Sequence, residues 1–347
     1  MRRMRTPPLL LFVATIALLS VIVTPSAQAT ETDQFTLPPK PLDDLGPDFG
    51  AMVLAVLRSE VSQLNTRIDQ RIEFDPKAAT EPIKEREFVT HVYEQTGVGL
   101  PESTIERELR YGAFPGRNVR FQPAYVDSIY AWVAAPFPLA HMMTDCPTIR
   151  LYGIDLGTDK IGHIFQQGYE YLTRYEDALA GGADEAAALA GAVHYGVLTE
   201  QGLYGILMTG VYSNGDLAGN YAGLKFFRNL FHEVRIGERT LQPILRREGA
   251  HIVIDPLRDN SDLMKPFISE HLNEVANPSL YYFSVDRIRS HVRDRCATWF
   301  KEVPGFNEAS YRATLERVKT WFGEPYGWDL PDDKAISLLE CFAPAAQ

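Results

Sequence analysis

The sequence predicts a mainly α-helical fold: a single helical domain around a central three-helix unit, with flanking helices and long loops. Three observations lead there. Leu57, Val61, Leu64 and Ile68 recur at helical spacing, with Arg, Glu and Gln on the opposite face. Residues 158–234 read as three successive helices, parted first by Gly181-Gly182 and then by the segment 210–215. No series of alternating strands and no internal repeat is present, although residues 251–254 and 281–283 have the composition of short strands.

The elements follow in order. Arg2, Arg3 and Arg5 precede an apolar run at 9–23, then Pro25 and the small-x-small triplet Ala27-Gln28-Ala29. That order predicts a cleavable secretory signal over residues 1–29, cut after Ala29, and a periplasmic or secreted protein. The run is too short for a stable transmembrane anchor. Residues 30–47 read as a polar, Pro-rich flexible leader, and 48–347 as the single helical domain. Helices are expected over 49–72 and 85–95, then to about residue 110 behind a Ser103/Glu106 capping box. Another is expected over 123–134, behind Pro123. Residues 136–156 read as loops, and the central helices as 158–175, 183–208 and 215–234. Residues 249–278 look like a surface excursion with a short helix near 267–275. Ser284 and Asn307 cap helices to about 300 and 322, and Pro331 with Asp332 opens a last one through 342.

Composition narrows the partners. The chain carries 34 Lys and Arg against 45 Asp and Glu, a net charge of -11 that becomes -14 once the three signal arginines are removed. Such a surface repels phosphate backbones, so no nucleic acid is expected. Of the cysteines, 296 and 341 form the expected disulfide pair, with Cys146 outside it.

The chemistry concentrates in the central unit. Asp159, His163, Gln166 and Glu170 are spaced 4, 3 and 4, which aligns them on one helical face. Glu200 and Gln201 interrupt a helix that is otherwise small and apolar, where an isolated charge needs a partner or a proton. Ser213, Asn214 or Asp216 can cap the third helix, where Asp216 and Asn220 share a face. Glycines at 215, 219 and 223 permit close approach of another helix.

Asp159-Lys160-x-x-His163, then Glu200-Gln201, then Ser213-x-x-Asp216-Leu217-x-x-Asn220-x-x-Gly223 resembles the pattern of VanZ-like proteins and of small envelope proteins with a DKxGH element. The resemblance covers about residues 159–228. It departs from the pattern where Glu200 and Gln201 are adjacent and where no arginine precedes Ser213. It implies a role in the cell envelope.

Two function classes stand side by side. In the first, an enzyme performs acid/base hydrolysis or transfer on an envelope lipid or glycan. His163 is its base, Asp159 orients the ring, and Glu200, Asp216 and Asn220 complete the catalytic set. Lys160, Gln166, Glu170, Gln201 and Ser213 would line the substrate. In the second, a non-catalytic envelope protein binds a lipid, glycan or protein partner and uses the same residues as a buried network. A divalent metal held by the His and carboxylates is a third use of these groups, although no HExxH or paired-His spacing is present. An open cleft reaching His163 favours the enzyme, and a closed, hydrogen-bonded centre favours the network.

Overall fold

The computed structural model describes residues 31–99, 102–133, 146–202, 205–331 and 333–343. The expected signal segment and its cleavage point lie outside the described residues.

The fold is mainly α. Helix α1 (Gly46–Phe74) starts with Pro47 and Asp48 in its first turn and buries Phe49, Val53 and Leu57 at four-residue spacing. Helix α2 (Glu85–Thr96) packs beside it. Helix α3 (Thr104–Tyr111) begins with the expected capping box, in which Ser103 and Glu106 bond each other's backbone. An antiparallel sheet follows, with β1 (Arg120–Phe121), β2 (Thr148–Leu151) and β3 (Ile154–Gly157) in sequence order and Ile149 opposite both Arg120 and Leu156. The two-residue turn between β2 and β3 has positive φ at Tyr152 and Gly153, which suits the strand twist. Asp44 holds that turn by accepting both backbone N–H groups.

Strand β3 leads into the central unit: α4 (Asp159–Phe165), α5 (Gln167–Ala180), α6 (Glu185–Gln201), β4 (Val211–Tyr212) and α7 (Asn214–Asn229). The expected helix over 158–175 is present as α4 and α5, interrupted for one residue at Gln166. Helix α7 is the axis of the molecule, with every residue from Asn214 to Phe227 buried. It lies so close to α4 and α5 because of its glycines: a Cβ on Gly223 would sit 2.0 Å from the Ile164 carbonyl and 2.8 Å from Gly168 Cα. Two hairpins follow, β5 (Val234–Ile236) with β6 (Arg239–Leu241) and β7 (Leu245–Glu248) with β8 (His251–Ile254), then β9 (Leu280–Tyr281) paired to β4. Helices α8 (Val285–Glu302) and α9 (Glu308–Val318) close the fold over a second apolar cluster that includes Phe35, Ile288, Val292 and Tyr311. Cys296 and Cys341 form a disulfide across 45 residues, a closure worth about 4 kcal/mol by chain entropy.

Several expectations are corrected. The leader is packed: Phe35 lies in the second cluster, and Asp33 accepts from the Ile129 N–H and from Thr36. Residues 125–127 form one 3-10 turn where a helix was expected over 123–134, because Asp33 and Ser128 side chains take the Ile129 and Tyr130 N–H groups. Part of the expected loop 136–156 is instead β2, β3 and their turn. The second and third central helices end at Gln201 and Asn229, short of 208 and 234. The 249–278 segment is no surface excursion, since Leu263, Met264, Phe267 and Leu272 anchor it in the core; it holds β8 and two short 3-10 turns in place of the expected helix. The last expected helix is reduced to a 3-10 turn at Leu338–Cys341, because the preceding backbone pairs with β9 through Lys334 and Ala335.

Helix α6, small and apolar in sequence, is not enclosed. Only Ala188, Ala192, Gly196 and Glu200 are buried, along a single edge, and Leu198 is 52% exposed. Among the described residues no helix is long and apolar enough to cross a membrane.

Candidate functional site

Four elements and two connectors bring ionisable groups to one place. The β3–α4 junction supplies Asp159 and Lys160, the next turn of α4 supplies His163, the last turn of α6 supplies Glu200, and the first turns of α7 supply Asp216 and Asn220. The leader adds Glu31 and Thr32, and the connector before β9 adds Glu274. All are buried.

Lys160 is the hub. Its side chain is 0% exposed, and its Nζ donates to Asp159 Oδ2 at 2.7 Å and also to Asp216 Oδ1 and Glu274 Oε1. An ammonium has three protons, and here each has a carboxylate. The carboxylates are held in turn. Thr32 Oγ1 donates to Asp159 Oδ1 at 2.9 Å, Ser213 Oγ to Glu274 Oε1 at 2.9 Å, and Ser279 Oγ to Glu274 Oε2 at 2.6 Å. Ser213 also caps α7, accepting from the Asp216 N–H at 3.1 Å.

His163 occupies the other side of Asp216. Its Nε2 lies 3.1 Å from Asp216 Oδ2, and its Nδ1 lies 2.9 Å from Asn220 Oδ1. Both ring nitrogens therefore face acceptors, the arrangement an imidazolium satisfies by donating twice. The ring can come this near because Gly219 faces it, where a Cβ would lie 2.9 Å from His163 Cβ.

Electrostatics follow from this count. Burial alone would depress the His163 and Lys160 cations. The Asp216 carboxylate reverses this for the imidazole and lifts it to about 9, and Asp159, Asp216 and Glu274 together hold the ammonium well above its usual range. Asp216, which burial would raise, is held far below the usual carboxylate range by His163 and Lys160. Burial and the nearby Asp216 charge push Glu200 up to about 8 and Glu31 well above its ordinary value. Glu274 is raised by burial against the pull of Lys160. Glu106 on α3 is raised by burial and by Asp159. The raised Glu31 and Glu200 carboxyls favour their neutral forms, which limits the negative charge that Lys160 and His163 offset.

Of the expected catalytic set, Asp159, His163, Glu200, Asp216 and Asn220 all reach this centre, but not in the expected roles. Asp159 serves Lys160 and Thr32, and the carboxylate paired with His163 is Asp216. Lys160 and Ser213 belong to the network. Glu200 accepts from the Ser213 N–H at 3.3 Å. The other expected substrate residues lie elsewhere in the fold. Gln166 donates to the Gly99 carbonyl, Glu170 accepts from Tyr195 Oη at 2.7 Å, and Gln201 is exposed on α6.

Sequence reasoning missed Glu31, Thr32 and Glu274. The only signal for Glu274 was the apolar set Phe267, Leu272 and Val275 around it, which marks a buried connector; Glu31 and Thr32 had none. Two triads hold ligand atoms within 4.8 Å of one another, as a metal requires: His163, Glu200 and Asp216, and Asp159, Asp216 and Glu274. Lys160 Nζ already contacts all three carboxylates of the second. No family model, curated protein or solved structure matches this chain.

Proposed function

We propose that this chain is an exported, non-catalytic protein of the cell envelope, whose Asp159, Lys160, His163, Asp216 and Glu274 side chains form a buried ionic lock beneath a partner-binding exterior. The observation that supports this reading is the closure of the centre around His163. The histidine is 7% exposed, and both ring nitrogens are engaged. A general base must present a nitrogen lone pair within reach of the proton it takes. Here neither nitrogen is open to a substrate, so the acid/base reading on a lipid or glycan loses its central residue.

Export is supported by the signal-like order of residues 1–29 and by the Cys296–Cys341 disulfide, a bond that oxidising compartments preserve. The resemblance to VanZ-like and DKxGH proteins supports the envelope assignment. Its motif residues serve here to tie α4, α6 and α7 together.

The test is chemical denaturation of His163→Ala and Asp216→Asn beside the unaltered protein. A lock predicts that each loses more than about 3 kcal/mol, because each leaves a buried charge without its partner. Residues kept for catalysis are often held at a cost in stability, so unchanged or raised stability in both variants would overturn the proposal.

A further inference from the structure

We propose that His163, Glu200 and Asp216 form a structural site for one divalent transition-metal ion of the zinc type. One ligand atom from each lies within 4.8 Å of the others. An ion at zinc–nitrogen and zinc–oxygen distances of about 2.0–2.2 Å meets all three after inward movements under about 1 Å. One imidazole nitrogen with two carboxylates is a borderline donor set. It suits zinc better than an all-oxygen calcium site or a thiolate copper site.

The surroundings are built as metal surroundings are. His163 Nδ1 is fixed on Asn220 Oδ1, which leaves Nε2 pointing at Asp216. Asp216 Oδ1 is fixed by Lys160, which leaves Oδ2 toward the histidine. Glu200 Oε2 is fixed by the Ser213 N–H. Outer partners of this kind orient ligands and set the imidazole tautomer.

The two triads divide the work. Asp159, Asp216 and Glu274 have the Lys160 ammonium as their resident cation, whereas His163, Glu200 and Asp216 hold two protons, one between Nε2 and Oδ2 and one on Glu200. The metal ion takes the place of both, and both leave to solvent.

The inference rests on the reading of the centre as a closed structural lock, and the experiment separates the two. The mature chain, residues 30–347, is stripped with a chelator and titrated with zinc ions by calorimetry and thermal melting, beside Glu200→Gln and His163→Gln. The expected result is one zinc per chain, a melting midpoint raised by at least about 5 °C at saturation, and affinity weakened at least about tenfold in Glu200→Gln. Glu200→Gln is close in shape to the protonated side chain, so it keeps the test alive should His163→Gln fail to fold. No zinc uptake by the folded protein, or equal uptake by Glu200→Gln, overturns the site. Absent uptake together with destabilised His163→Ala and Asp216→Asn removes the metal and leaves the lock. Zinc uptake by the parent, with His163→Ala and Asp216→Asn as stable as the stripped parent and unable to take up the ion, keeps the metal and removes the lock.

Discussion

Lys160 shows at the scale of one residue what a buried ion group costs and returns. Taking an ammonium out of water costs several kcal/mol, and only close partners repay it. Three carboxylates do so here, and hydroxyls of Thr32, Ser213 and Ser279 hold two of them in place. Replacing Lys160 by Met keeps the length and removes the charge. Asp159, Asp216 and Glu274 would then face one another with only His163 to offset them. Lys160→Met is expected to lose at least about 3 kcal/mol in urea denaturation at pH 7.5. Part of that loss should return at pH 5, where the stranded carboxylates take up protons more readily. Equal losses at both pH values would show that the lysine contributes packing and not charge.

At the scale of elements, α7 is held by what it lacks. Gly223 faces Ile164 and Gly168 at distances that admit no side chain, and α7 is enclosed along its length, so it has nowhere to retreat. Gly223→Ala is therefore expected to destabilise by about 2 kcal/mol or more. Gly191→Ala, on the exposed face of α6 with nothing near its Cβ, should gain up to about 1 kcal/mol of helix propensity. Thermal melting of the two variants side by side checks the pair. This contrast also marks what could be read from the sequence. The spacing of glycines 215, 219 and 223 announced the close approach, periodic apolar residues placed α1, and cap residues placed α3 and α9. The openness of α6 has a physical cause: alanines and glycines count as apolar but have little surface to bury, so their run does not imply enclosure. The β2–β3 hairpin was hidden because Tyr152 is not a residue expected at positive φ, and Asp44, far away in the chain, is what holds it there. The DKxxH and Ser-x-x-Asp motifs named five of the residues at the polar centre. Glu31 was invisible and Glu274 marked only by its apolar neighbours, because their partners are distant in sequence.

For the whole molecule, these groups determine how stability depends on pH. His163 is held at about 9 in the folded protein against an ordinary 6.5, so its stabilisation is complete below 6.5 and is lost as pH rises through about 9. Glu200 is held at about 8 against an ordinary 4.5. Between those values the unfolded chain sheds the proton that the folded protein must keep, so stability again falls as pH rises. Asp216 acts in the opposite sense. Its carboxylate is depressed below an ordinary 3.8, so its contribution is present above that value and is lost on further acidification. Self-repulsion adds to the alkaline loss, since a chain already at -11 gains negative charge as its cations titrate. Metal-free protein should thus be most stable at about pH 4 to 5, where Asp216 contributes and the loss through Glu200 has barely begun. It should lose on the order of 3 kcal/mol or more by pH 9, since one pKa unit corresponds to about 1.4 kcal/mol. Urea denaturation across that range reads the difference directly. Asp216→Asn removes the carboxylate that keeps His163 charged and should flatten the slope above pH 6.5. If the slope above pH 8, beyond the Glu200 range, survives that substitution, the loss there arises from general surface repulsion and not from His163.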